Sequence, residues 1–154
     1  MEFIMMVGLP ASGKSTYAKK LAGEENAIIH SSDALRAELF GSELNNDNNS
    51  LLFKELHKRI LNDLSEGKNV IYDATNIDYK HRKAFLESIK KFNCEKKCIV
   101  MAIPYEDCLK YNILRERNVP EEVIKRMYQN FNMPRPCEGW DSIRIIRNYA
   151  EIII

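Results

Sequence analysis

What this chain lacks already narrows its chemistry. It has no surplus of positive charge: 23 Lys plus Arg stand against 22 Asp plus Glu, for a net charge of +1. A basic field broad enough to grip a polynucleotide along its backbone is absent, so any nucleic-acid contact must be local. No apolar run is long enough to cross a bilayer, and no basic stretch leads into a longer apolar one. The expectation is a cytoplasmic protein with no membrane partner and no obligate protein partner. The four cysteines, Cys94, Cys98, Cys108 and Cys137, show neither C-x-x-C spacing nor the density of a disulfide scaffold. They read as reduced, mostly buried thiols. Aromatic residues make up 9%, and Tyr79, Tyr105, Tyr111, Tyr128 and Trp140 are scattered rather than grouped into a stacking track. Glycine is scarce at six residues, which makes the placement of Gly8 and Gly13 the more telling.

Those two glycines frame the segment Gly8-Leu9-Pro10-Ala11-Ser12-Gly13-Lys14-Ser15. An apolar run, residues 3–7, leads into it, and helix-forming residues from Thr16 to Leu21 follow. Strand, glycine-framed loop and helix in that order make a phosphate-binding P-loop. The pattern arises by chance in on the order of one chain in a few hundred of this length. Gly8 is expected to turn the chain sharply out of the strand, and Gly13 to let backbone approach a phosphate. The N–H groups from Ala11 and Ser12 through Thr16 would complete the cradle at the helix N-terminus. Lys14 would reach the β- and γ-phosphates and Ser15 would ligate magnesium. The expected cofactors are therefore ATP, or another nucleoside triphosphate, and Mg2+.

With 45% hydrophobic residues over 154 positions, the chain can bury a proper core, and one domain over residues 1–154 is expected. Strand patterns fall at 3–7, 27–30, 70–73, 98–103 and near 143–146. Helical patterns fall near 14–22, 33–40, 50–66, 79–92 and 105–116, with a further one over 120–131. This alternation predicts an α/β fold, a parallel sheet of about five strands flanked by helices. Phe53, Leu56, Ile60 and Leu64 form a stripe expected to bury against the sheet. Residues 45–50 read as a polar loop, and Gly67 as the stop of the preceding helix.

In such sheets, ligands sit beyond the carboxyl ends of the strands, where Asp33 and Asp73 fall. Asp33 is the candidate base for an acceptor hydroxyl, and Arg36, one helical turn on, would hold a substrate phosphate beside it. The competing reading makes Asp33 a plain helix cap. Asp73 ends a buried strand, where a carboxylate either orders magnesium or binds the acceptor; the residues leave both roles open. Asn76 and Arg82 are candidates for the same cleft, with Arg82 equally readable as a surface residue. Arg115 and Arg117 precede the well-signalled helix after Pro120, which suggests a small helical lid over about 112–132 that closes on a bound triphosphate. The competing reading there is a solvated charged turn.

These segments together resemble the P-loop polynucleotide 5′-hydroxyl kinases and their small relatives. The resemblance runs through Gly8 to Thr16, Ser32 to Arg36, Gly67 to Asn76 and Arg117 to Ile124, in the family's order. It implies a P-loop kinase fold in which Asp33 is the general base and Arg36 grips the phosphate 3′ to the acceptor hydroxyl. It also implies that Asp73 is required and that a lid arginine, Arg115 or Arg117, contacts the ATP phosphates. The segment Pro136-Cys137-Glu138-Gly139-Trp140-Asp141 looks like a motif of the stand-alone members. The leading expectation is a kinase acting on a 5′-hydroxyl nucleic-acid end. A small-molecule kinase for a metabolite or an antibiotic is the alternative, and a nucleotide-dependent switch or ATPase the third reading.

Overall fold

The computed structural model describes residues 1–41, 49–116 and 118–153. Its frame is one parallel sheet of five strands: β1 (Glu2–Gly8), β2 (Ala27–Ser31), β3 (Asn69–Asp73), β4 (Glu95–Met101) and β5 (Ser142–Ile146), in the order β2-β3-β1-β4-β5. Helices α1 (Lys14–Glu25), α2 (Ser32–Phe40), α3 (Asn49–Ser65), α4 (Tyr79–Ser88), α5 (Tyr105–Ile113), α6 (Glu121–Gln129) and α7 (Ala150–Ile153) connect and cover it.

The central strand explains why both faces are covered. Residues 3–8 of β1 are all buried, and its side chains divide by parity. Phe3, Met5 and Val7 pack with α3 and α4 residues such as Leu56, Ile60 and Phe85, whereas Ile4 and Met6 pack with Tyr17, Ala18 and Leu21 of α1. The carboxyl ends of β1, β2 and β3 therefore open on one edge, where Gly8, Ser31 and Asp73 leave the sheet.

Several boundaries differ from the sequence expectation. Strand β4 begins at Glu95, because Glu95, Lys96 and Lys97 pair in register with Glu2, Phe3 and Ile4 despite their charge; it ends at Met101, short of Ile103. Helices α4 and α5 end earlier, at Ser88 and Ile113, and α6 is confined to Glu121–Gln129. The buried stripe of α3 is Leu52, Leu56, Ile60 and Leu64, so Phe53 is displaced from it and only half-buried. Asn49 and Ser50 open α3, and residues 45–48 of the expected polar loop lie outside the described residues. Gly67 closes the turn after α3 at φ 78°, as expected. Of the cysteines, Cys94, Cys98 and Cys108 are buried and Cys137 is exposed. Burial pushes the Cys98 thiol up to about 12 and the Cys108 thiol up to about 11.

Candidate active site

The loop after β1 is shaped by two left-handed residues, Ala11 (φ 64°) and Gly13 (φ 88°). Gly8 plays a different part from the one expected. Its φ is not positive; instead a Cβ there would lie 2.8 Å from Ser12 Oγ and 2.9 Å from Met101 Cβ, so glycine is needed for space. The Gly8 N–H donates to the Thr75 carbonyl at 3.0 Å, tying the loop to the segment that follows Asp73. Gly13 stands at the N-cap of α1 with no side-chain cap, so the first N–H groups of the helix are left for an anion.

Lys14 Nζ donates to the Leu9 carbonyl at 2.8 Å. Burial pushes its pKa down, against the pull of Asp73 and Asp33, while Arg115 adds to the lowering. Three charged groups named separately in the sequence thus act on one ammonium. Ser15 Oγ donates to Asp73 Oδ2 at 2.9 Å beneath the cradle, and Asp73 is buried. Thr16 is exposed on the first turn of α1.

Across from the loop, α2 is capped by Ser31, whose hydroxyl accepts from the Ala34 N–H at 3.2 Å. The cap reading of Asp33 is thereby corrected: its carboxylate instead faces Arg36, whose Nη1 donates to Asp33 Oδ1 at 2.9 Å. Arg36 Nη2 donates to Asn49 Oδ1 at 3.2 Å, and its Nε is buried without a hydrogen-bond partner among the described residues.

Both sides line one cavity of roughly 720 Å3. Pro10, Ala11, Gly13, Lys14, Ser15 and Thr16 of the phosphate loop and the start of α1 line it together with Asp73 and with Ser32, Asp33 and Arg36 of α2. Arg115 lines it as well; Arg117 lies outside the described residues. Asn49, Phe53, Tyr149 and Ile152 also line it and were not anticipated. Tyr149 Oη donates to the Ala11 carbonyl at 2.7 Å, and its ring meets Tyr111 with centroids 4.2 Å apart. Nothing local in the last ten residues signals that α7 returns to the phosphate loop.

Arg82 is the clear correction. It lines neither the cavity nor the surface but is fully buried, donating through Nε and Nη2 to Glu138 at 2.9 and 3.0 Å. Its Nη1 donates to the Asn76 carbonyl at 2.9 Å, and Asn76 Nδ2 in turn donates to the Met6 carbonyl at 2.9 Å. Glu138 also accepts from Trp140 Nε1 and the Arg135 N–H. The Pro136–Asp141 motif is therefore an exposed turn that sends two buried side chains, Glu138 and Trp140, inward to brace Arg82 and the turn that follows Asp73, and Asn76 belongs to the frame of the site rather than to its lining.

No cluster of three or more His, Cys, Asp or Glu that could hold a metal ion is present among the described residues. No helix among them is long and apolar enough to cross a membrane.

Comparison with known proteins agrees with this geometry. The AAA domain family AAA_33 matches residues 3–134. The chain is 34% identical over 149 residues to the L-seryl-tRNA(Sec) kinase of Methanococcus maripaludis, covering 90% of this chain and 55% of that protein. It is 25% identical to the bifunctional polynucleotide phosphatase/kinase of Schizosaccharomyces pombe, covering 92% of this chain and 32% of the relative. It thus spans about half of the first relative's length and a third of the second's. In fold it is similar to Kti12 of Chaetomium thermophilum, solved in complex with ADP-AlF3, with a TM-score of 0.71 and 20% identity, covering 98% of this chain and 93% of that one. A P-loop, an Asp–Arg pair lining the same cavity and a family match over most of the sequence lead to one conclusion: the chain belongs to the AAA_33 family and carries its P-loop kinase domain.

Proposed function

We propose that the protein is a nucleoside-triphosphate-dependent phosphotransferase that phosphorylates a hydroxyl carried by a nucleic acid, with a 5′-hydroxyl end as the leading acceptor. The observation that carries this reading is Asp33, held by Arg36 and lining the same cavity as the phosphate loop. A hydrolytic switch needs a group that orients water. A kinase needs a carboxylate beside an acceptor and a cation to seat it.

In the step itself, the acceptor oxygen forms a bond to the γ-phosphorus as the bond to the β,γ-bridging oxygen breaks. The hydroxyl proton passes to Asp33, and the nucleoside diphosphate leaves. Lys14 would turn from Leu9 to the β- and γ-phosphates, and the open N-terminus of α1 would hold the remaining phosphate oxygens. Arg115, on the lid segment 112–132, would offset charge on the transferring group. Ser15 and Asp73 fit Mg2+, since they bring a hydroxyl and a carboxylate together at the foot of the cradle, and this ion takes few protein ligands beside substrate phosphates. When bound, Mg2+ would neutralise phosphate charge and fix the donor's geometry.

A second reading has a specific observation behind it. The relative named as a seryl-tRNA kinase is 34% identical, which favours a hydroxyl on an aminoacyl group of tRNA as an acceptor for this chain too. An acceptor panel with γ-labelled ATP separates the readings: a 5′-hydroxyl oligonucleotide, seryl-tRNA, a nucleoside 3′-monophosphate and free sugars. Label on the oligonucleotide is expected. Label confined to seryl-tRNA or to a sugar overturns the 5′-end assignment.

A further inference from the structure

We infer that Phe53 is the stacking platform for the acceptor's terminal base, so that the protein selects a base-bearing end and not the hydroxyl and phosphate alone. This inference rests on the nucleic-acid reading above and specifies how the acceptor side of that site recognises its substrate.

The starting point is a displacement. A regular apolar stripe would have put Phe53 into the core, but Leu52 takes that position and Phe53 turns toward the cavity. One side of the ring still packs against the main core, which holds it in place. It sits one helical turn beyond Asn49, so the two share a face of α3. Asn49 is the residue that Arg36 Nη2 grips, so Phe53 flanks the corner occupied by Asp33 and Arg36. The buried Arg36 Nε, without a partner among the described residues, adds an unused donor there, as an anionic acceptor group requires.

On the lid side of the same cavity lie Val123 and Met127, one turn apart on α6. The cavity lining thus combines a charged, hydrogen-bonding corner with apolar side chains, the Phe53 ring on the acceptor side and Val123 and Met127 from α6. A sugar acceptor carries hydroxyls around its whole rim and only small C–H faces, so hydroxyls set against Phe53, Val123 and Met127 would lose water without gaining partners. A nucleotide end combines the same two characters: its phosphate and hydroxyl are polar, while its base offers two flat apolar faces to a ring.

Two oligonucleotides of the same sequence test this, one with a normal 5′-terminal nucleotide and one with an abasic 5′-terminal nucleotide that keeps the 5′-hydroxyl and the 3′-linked phosphate. The intact end should be phosphorylated with a kcat/KM roughly tenfold higher, expressed mainly in acceptor KM. Phe53→Leu should remove that preference with ATP KM unchanged, and Phe53→Trp should keep it. Equal use of both ends by the unaltered protein overturns the platform while leaving the 5′-end reading intact. A preference that survives Phe53→Leu places the platform elsewhere and also overturns it. No label on either oligonucleotide rejects the 5′-end reading and this inference with it. The comparison with the unaltered protein decides the matter even if a Phe53 variant fails to fold.

Discussion

Asp33→Asn lowers the rate of phosphoryl transfer by about a thousandfold while ATP affinity stays close to that of the unaltered chain. The substitution keeps the size and hydrogen-bonding shape of the side chain but removes the basic oxygen that would take the acceptor proton. It also isolates chemistry from structure, because the cap of α2 is Ser31, which the substitution leaves alone. Asp33 has a partly exposed side chain, 39% accessible, so losing its charge is tolerable for folding. Some rise in acceptor KM is expected as well, because Arg36 loses its ionic partner. Nucleotide binding by fluorescence titration and single-turnover transfer separate these effects. A collapse of ATP affinity would show that Asp33 shapes the phosphate loop, and the base would then lie elsewhere.

Arg82→Ala has the largest effect on stability, about 3–5 kcal/mol, because it strands a carboxylate that has no access to water. For a chain of this size the loss corresponds to a Tm drop of about 10 °C. Burial alone would push the Glu138 carboxyl up, but hydrogen bonds from Arg82, the Arg135 N–H and Trp140 outweigh it and hold the pKa below the ordinary glutamate value. A carboxyl lowered in the folded state contributes stability above its unfolded pKa and loses that contribution as the pH falls through the folded value. The unaltered protein should therefore weaken on acidification more steeply than the double variant Arg82→Met/Glu138→Leu. That double variant should recover part of the single variant's loss at neutral pH, since it removes the stranded carboxylate but leaves Trp140 Nε1, the Arg135 N–H and the Asn76 carbonyl without these partners. Urea denaturation at neutral and acid pH measures all three chains. An Arg82→Ala loss below about 1 kcal/mol would mean that Glu138 finds another partner or water.

The parts of the site legible in the sequence are those governed by local rules. The phosphate loop is a short backbone device whose residues are contiguous, so Gly8 to Thr16 could be located without any tertiary contact. Asp33 and Arg36 lie one helical turn apart, and their 2.9 Å contact follows from that spacing. The sheet was legible from alternation of strand and helix patterns, and its five parallel strands follow from that order. What escaped depends on distant partners. Arg82 belongs to a residue type that is almost never fully buried unless paired, and its partner lies 56 residues away. Leu52 and Phe53 are adjacent, and both keep helical spacing with Leu56 and Ile60, so only packing decides which of them faces the core. Glu95, Lys96 and Lys97 look like a loop, yet parallel pairing with β1 carries them into the sheet. The return of Tyr149 to Ala11 spans nearly the whole chain and leaves no local trace.

The central claim is that the cavity joins a donor to an acceptor rather than to water, and partitioning of the γ-phosphoryl group tests it directly. In a single turnover with γ-labelled ATP, Mg2+ and a saturating 5′-hydroxyl oligonucleotide, the label should appear on the oligonucleotide 5′ end, with little released as inorganic phosphate. Label released as inorganic phosphate at the same rate with and without the oligonucleotide, and none on its end, would contradict the account and identify a hydrolase or switch instead.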